Sequence, residues 1–263
     1  RQDLIKFLAE IDIKPSFVVP ISARQGDFVA KKTEKMSWYN GPTALEALDN
    51  FEPHEPRINK PLRFAVQDVY HWDKRIVAGR VETGVLKVGD EVVILPSKEK
   101  TKIKNIEEFL KDNVKEALAG KSTGIITEDK VFVDRGNILC KPDCLPKVTD
   151  SFKAHVFWMA DEPLKKGERI ILKCATQETV CQVEDFIRIL DSSTLKEKFD
   201  KEKIKNREVA DVIIKTDKPI VVENFNDVEE LGRFVLERLN TCAGGIITEA
   251  VSYTHLRAHE TSL

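Results

Sequence analysis

The sequence predicts a mainly β protein, in which a partial α/β piece is followed by two antiparallel β domains. Three observations carry that prediction. Apolar and polar residues alternate with period two from Leu62 onward. Strand-like runs then recur at the roughly 8–12-residue spacing of a β-barrel or β-sandwich, separated by Gly-, Asp- and Pro-containing turns. Helical spacing, in contrast, is confined to the first fifty residues.

Taken in order, residues 1–13 place Leu4, Ile5, Leu8 and Ile11 on one face and predict an amphipathic helix. The apolar run 16–21 predicts a buried strand, which leads into the loop Ser22-Ala23-Arg24-Gln25-Gly26-Asp27. Gly41-Pro42-Thr43 opens a short helix over 44–48, with Thr43 as cap and Glu46 completing a capping box. Glu52-Pro53-His54-Glu55-Pro56 has two prolines and no apolar residue, the composition of a linker. Strands are expected from Leu62, then at 75–81, 91–95 and 100–106, with turns at Thr83-Gly84 and Val88-Gly89-Asp90. Residues 115–140 continue in that style, turning at Gly120, Gly124 and Asp134-Arg135-Gly136. A second linker over 141–146 precedes strands near 151–158, 168–175, 179–189, 208–215, 219–223 and 232–239. The charged stretch 195–207 between them reads as a solvated loop or short helix.

Composition narrows the function classes. At 263 residues the chain is long enough for two domains. Hydrophobic residues at 41% exclude a disordered chain. Lys and Arg total 42 against 44 Asp and Glu, so a generally basic nucleic-acid binder is not expected. No apolar run approaches the ~18 residues of a membrane span. Five cysteines with no even framework and no secretory signal lead us to expect a cytoplasmic protein. A start at Arg1, inside a helical pattern, leads us to expect a fragment. Site chemistry is thin: no GxxxxGK[ST] run is present, and His54, His71 and His155 are scattered. Cys140/Cys144 and Cys174/Cys181 lack zinc-site spacing and read as packing residues.

Resemblance adds more. Ile21-Ser22-Ala23-Arg24-Gln25-Gly26-Asp27, with Met36-Ser37-Trp38-Tyr39-Asn40-Gly41-Pro42-Thr43 after it, resembles the end of the G domain in translational-type GTPases. That group includes elongation factors Tu and 1-alpha. Val81-Glu82-Thr83-Gly84-Val85-Leu86-Lys87-Val88-Gly89-Asp90 resembles the barrel that follows it. Within the group, residues 66–97 are most similar to the GTP-binding large-subunit family of bacterial sulfate adenylyltransferases. His155-Val156-Phe157-Trp158-Met159-Ala160-Asp161-Glu162-Pro163-Leu164 resembles that family's FWM…PL string. Ile189-Leu190-Asp191-Ser192-Ser193-Thr194-Leu195, Gly232-Arg233-Phe234-Val235 and Cys242-Ala243-Gly244-Gly245-Ile246-Ile247 continue the likeness.

The resemblance implies two antiparallel β-barrels of translation-factor domain II and III type, after the C-terminal remnant of an α/β P-loop GTPase domain. The divisions are 1–53, 58–145 and 148–250, with 251–263 expected to be the translation of a sequencing adaptor. A His255/His259 metal pair is the alternative reading of that tail. In the family, a small subunit joins sulfate to ATP, giving adenylylsulfate and pyrophosphate, and the large subunit couples this uphill step to GTP hydrolysis. Ser22, Ala23 and Arg24 fall on the last guanine-specificity motif, where backbone N–H groups and the Ser side chain support the base. The phosphate loop, the magnesium-binding Asp-x-x-Gly and the Asn-Lys-x-Asp motif are absent from this sequence. GTP and Mg2+ are therefore expected as cofactors of the full-length protein only, and no residue is carried over as catalytic. The implied partner is the small subunit, with no membrane and no nucleic acid. The alternative is an elongation-factor-like GTPase delivering tRNA, which would need a basic, aromatic-bearing face.

Overall fold

The period-two pattern beyond Leu62 closes into two rings of antiparallel strands. A computed structural model describes residues 2–52, 57–71, 74–194, 196–198 and 202–251. His54 and the rest of 53–56, Trp72, Asp73, Leu195, residues 199–201, and the tail 252–263 with His255 and His259 lie outside the described residues. The chain divides into two units, Arg1–Glu55 and Pro56–Leu263. Among the described residues, no helix is long and apolar enough to cross a membrane.

In the first unit the expected helix is present as α1 (Gln2–Glu10), yet it buries none of its residues, and Leu4 and Ile5 face outward. The expected strand over 16–21 is not formed, and Phe17 and Ile21 are exposed. A strand needs a neighbour for its N–H and C=O groups, and none pairs with this segment among the described residues. Helix α2 (Ala44–Asp49) carries the full capping box. Glu46 N–H donates to the Thr43 hydroxyl at 3.2 Å, and the Thr43 N–H donates to the Glu46 carboxylate at 2.8 Å.

The first ring uses β1 (Arg63–His71), β2 (Arg75–Thr83), β4 (Glu91–Leu95), β5 (Glu99–Glu108), β8 (Ser122–Thr127) and β9 (Ile138–Cys140). Their order is β4-β9-β1-β2-β8-β5, and pairing of β4 with β5 closes the barrel. Strand β6 (Lys111–Val114) extends β5, and β3 (Val85–Lys87) pairs with β7 (Glu116–Leu118) outside the ring. Phe64, Val66, Val77, Val81, Ile94, Ile103 and Ile125 fill the interior. Gly84 turns the chain after β2 with φ +76°, and a Cβ there would lie 2.7 Å from Leu62 Cα. Gly124, expected at a turn, sits instead inside β8 between Glu107 and Ala78. A Cβ on it would press on Ile76 at 2.6 Å, so the glycine serves close packing and not chain reversal.

The second ring uses β10 (Lys147–Trp158), β12 (Arg169–Cys174), β13 (Gln177–Asp191), β16 (Glu208–Val222), β17 (Arg233–Glu237) and β18 (Thr241–Ala250). The order β12-β17-β18-β10-β16-β13 closes through β12 and β13. Phe152, Trp158, Ile170, Leu172, Phe186, Ile214 and Leu236 form its core. The two strands expected at 208–215 and 219–223 are one, β16. Its pairing with β10 jumps from Ser151–Lys215 to Thr149–Ile220, so the Asp217-Lys218-Pro219 interruption survives as a bulge. The charged stretch contributes short strands β14 (Glu197–Lys198) and β15 (Lys203–Ile204), not a helix. Its Ile204 is fully buried and packs with the core, which overrides the surrounding charge. The short helix α3 (Glu229–Gly232) precedes β17.

A third apolar cluster joins the barrels. Ala65, Val93, Leu95, Ile138 and Cys140 of the first pack with Val221, Val228 and Leu231 beyond the second linker. Arg63 crosses this seam with its side chain only 3% exposed. Its Nε and Nη2 donate to one Glu223 oxygen at 2.8 and 2.5 Å, and Nη1 donates to the Leu62 and Cys144 carbonyls at 2.9 Å each. Arg57 adds pairs to Glu229 at 2.5 Å and Glu230 at 3.3 Å. The seam explains why strict alternation fails at the start of β1. Arg63 and Ala65 stand on the face opposite Phe64, yet the second barrel covers them.

Candidate functional site

Ser22, Ala23 and Arg24 lie on a loop that folds back on itself. Gln25 and Gly26 N–H groups donate to the Ser22 carbonyl at 3.1 and 2.8 Å, and the Ser22 N–H donates to the Asp27 carbonyl at 3.0 Å. Gly26 takes φ +76° to make this reversal. Asp27 is buried, with Lys35 Nζ 3.6 Å from its carboxylate. Phe28 packs edge-on against Tyr39 at 5.4 Å, and its carbonyl accepts from the Ala44 N–H at 2.9 Å. The loop is thereby tied to the start of α2. Ser22 is half-buried, whereas Ala23 and Arg24 are exposed. Among the described residues, no backbone carbonyl accepts from the Ala23 or Arg24 N–H. The loop thus offers two free donors beside one hydroxyl.

A second constellation forms at one end of the second barrel. Met159 and Ala160 N–H groups donate to the Cys242 carbonyl at 2.8 and 3.2 Å. Arg207 N–H donates to the Trp158 carbonyl at 2.8 Å, and its own carbonyl accepts from Ser192 N–H at 3.2 Å. Asn206 Nδ2 donates to the Met159 carbonyl at 2.6 Å. Three strings far apart in sequence, Phe157-Trp158-Met159, Asp191-Ser192-Ser193-Thr194 and Cys242-Ala243-Gly244, therefore share one small region. Trp158 is fully buried, its Nε1 donates to the Glu162 carbonyl at 2.9 Å, and Arg238 stacks 5.3 Å from its ring. Asn206 and Arg207 escaped sequence reasoning because they close a charged stretch. Arg207, with φ +64°, takes a left-handed turn that no glycine announces.

Within this end, Asp191 clamps the following turn. Its Oδ1 accepts from the Ser193 hydroxyl at 2.5 Å and from the Thr194 and Ser193 N–H groups at 3.0 Å each. These bonds, the Ser193 hydroxyl foremost, lower its pKa to about 2. A depressed carboxylate stabilises the fold above its unfolded pKa of ~4 and loses that contribution as pH falls towards 2. The Ser193 and Thr194 amides are thus expected to lose hydrogen-exchange protection between pH 4 and 2. In Asp191→Ala, which removes the acceptor, they should exchange as fast at pH 5 as at pH 2, beyond the intrinsic pH dependence of amide exchange. A wild-type turn equally protected at pH 2 and pH 5 would contradict this account.

Other titratable groups are structural. Burial pushes the Cys140 thiol up to about 11 and those of Cys174 and Cys181 up to about 12. Glu82 is raised, chiefly by desolvation. His155 lies on the surface with Nδ1 2.6 Å from Asp211, and His71 is exposed. Among the described residues, no three His, Cys, Asp or Glu side chains gather as a metal site.

Fold and sequence define the class. Residues 74–140 match the family described as elongation factor Tu domain 2, and residues 151–248 match the GTP-eEF1A C-terminal domain-like family. The chain carries these two domains of the elongation factor Tu/1-alpha-like GTPase superfamily. Elongation factor 1-alpha of Thermoplasma acidophilum is 36% identical over 255 residues, covering 93% of this chain and 59% of the relative. Elongation factor 1-alpha of Pyrobaculum arsenaticum is 37% identical over 259 residues, covering 95% and 58%. Sulfate adenylyltransferase subunit 1 of Alteromonas mediterranea is 33% identical over 257 residues, covering 96% and 54%. The chain thus spans less than six-tenths of the length of these relatives. Solved structures of sup35 share the fold: the GMPPNP complex has a TM-score of 0.69 at 20% identity, covering 89% of this chain and 58% of that one. The GDP complex has a TM-score of 0.70 at 19% identity, covering 95% and 65%.

Proposed function

We propose that the chain is part of the GTPase subunit of a sulfate adenylyltransferase, which couples GTP hydrolysis to adenylylsulfate synthesis from ATP and sulfate. The observation that carries the reading is the convergence at the end of the second barrel. The FWM and DSST strings, through which the chain resembles that family, meet through Asn206 and Arg207, and Met159 and Ala160 bond the Cys242 carbonyl. A contiguous patch of such residues supports one shared role better than separate chance matches do. The Alteromonas relative supports the same reading.

In the full-length protein, GTP would bind with its guanine base against Ser22, Ala23 and Arg24. The free Ala23 and Arg24 N–H groups suit a base carbonyl, and the Ser22 hydroxyl stands beside them. Among the described residues no three His, Cys, Asp or Glu side chains gather as a metal site, and the role proposed for these three residues is support of the base. Coupling requires that the GTP and GDP states bind the small subunit differently.

The test uses the full-length protein mixed with its small subunit. Adenylylsulfate formation from ATP and sulfate is expected to rise with GTP and not with GDP. Synthesis indifferent to GTP would overturn the proposal. The elongation factor 1-alpha relatives, at 36% and 37% identity, favour a second reading, a GTPase that delivers aminoacyl-tRNA. Under that reading the full-length protein would shield an aminoacyl-tRNA ester from hydrolysis when GTP is bound, and adenylylsulfate synthesis would not respond to it.

A further inference from the structure

Asn40 and Gly41 form the one Asn-Gly pair of the sequence. They lie outside helix and strand, between the single 3-10 turn Glu34–Met36 and α2, and Asn40 is exposed. Among the described residues, neither the Asn40 side-chain amide nor the Gly41 N–H has a hydrogen-bond partner. The side chains of Asn50, Asn206 and Asn224, by contrast, donate to the Glu46, Met159 and Thr248 carbonyls. Glycine is what opens the pair to chemistry. Without a Cβ, Gly41 leaves its nitrogen unshielded towards the side-chain carbonyl carbon of Asn40. Packing also keeps glycine at this position, because a Cβ there would run into the Tyr39 ring.

We propose that Asn40 is a site of spontaneous deamidation, and that the isoaspartate formed there unties the loop 22–27 from α2. The Gly41 nitrogen, its proton lost to solvent, attacks Asn40 Cγ. The Cγ–Nδ2 bond breaks, ammonia leaves with the proton that Gly41 released, and a five-membered succinimide remains. Water then opens the ring. Breaking the bond between the Gly41 nitrogen and Cγ gives aspartate, and breaking the bond to the main-chain carbonyl carbon gives isoaspartate. The net change is asparagine plus water to isoaspartate plus ammonia, with nothing oxidised or reduced. Such lability is a recognised weakness of asparagine on heating. Isoaspartate routes the backbone through the former side chain, which adds one methylene between Tyr39 and Gly41 together with a carboxylate. The added length falls in a tight join. Tyr39 packs on Phe28 at 5.4 Å and on Trp38 at 6.2 Å. The Phe28 and Val29 carbonyls accept from the Ala44 and Leu45 N–H groups at 2.9 and 3.0 Å. Thr43, the buried cap of α2, follows directly on Gly41-Pro42.

In the experiment the full chain is aged in mildly alkaline buffer and digested, and the peptide holding Asn40 is followed by mass and by enzymatic isoaspartyl methylation. Asn40 is expected to convert ahead of Asn206 and Asn224. Asn40→Gln should lose the conversion, because its longer side chain would have to close a six-membered ring. Aged protein should lose hydrogen-exchange protection at the Ala44 and Leu45 amides. Asn40→Asp brings the charge without the methylene and should keep that protection. Asn40 left intact in the native chain, while a free peptide of the same sequence converts, overturns the site. Conversion that leaves Ala44 and Leu45 protected overturns the untying. Equal loss of protection in Asn40→Asp overturns it too, since charge alone would then be the cause.

Discussion

Arg63→Met is expected to destabilise the two-barrel unit by about 3 kcal/mol, the lower end of the cost of breaking a buried ion pair. The loss comes from Glu223, whose carboxylate keeps only 16% of its side-chain surface in water and would stand without its guanidinium. The Leu62 and Cys144 carbonyls lose a donor as well. Arg63→Met combined with Glu223→Met should regain most of the loss, because two apolar side chains fit a seam already built from Val221, Leu231 and Leu95. Urea unfolding checks both variants. The single variant should also split one transition into two, since the seam couples the barrels. Single and double variants of equal stability would show that the apolar cluster holds the seam without the ion pair.

Trp158→Ala should cost about 3–5 kcal/mol, the range for removing a large aromatic from a packed core. The ring is fully buried in the second barrel, beneath Arg238. Trp158→Phe keeps a ring but loses the indole N–H bond to the Glu162 carbonyl, which retains only the longer 3.4 Å bond from Arg238 Nη1, at about 1 kcal/mol. Thermal unfolding distinguishes the two. Equal losses would mean that the indole N–H, and not ring volume, holds this end together. The Ala variant is also expected to loosen the Asn206–Arg207 contacts, because these bond the carbonyls of Trp158 and Met159.

Most strands were legible because their apolar positions obey period two, and β1, β2, β4 and β5 of the first ring follow the expected runs closely. Legibility failed where tertiary contacts replaced local pattern. Strand β18 was not expected, since Cys242-Ala243-Gly244-Gly245 has weak strand preference and gains its place only by pairing with β10 and β17. The strand expected at 16–21 had the right composition and no partner. Ile204 was masked by neighbouring lysines and glutamates, although one buried isoleucine outweighs several solvated charges. For the candidate site, Ser22, Ala23 and Arg24 were legible only as a string. That the Ala23 and Arg24 amides stand free follows from how Gln25, Gly26 and Asp27 fold back on Ser22, which no spacing rule contains.

Closure of both rings has a consequence for behaviour at high concentration. A sheet that ends in an open strand offers a row of unsatisfied amides on which another molecule can grow a ladder. Here β4 meets β5 and β12 meets β13, so those rows are consumed internally. Among the described residues, what remains at the margins is β6, with the sequence Lys-Asp-Asn-Val, β14, only Glu-Lys, and the two-stranded pairs of β3 with β7 and of β11 (Leu164–Lys165) with β15, none longer than four residues. All are too short to template a fibril. Clumping of this chain is therefore expected to start from its greasy outward side chains, such as Leu4 and Phe17, and not from strand-to-strand growth.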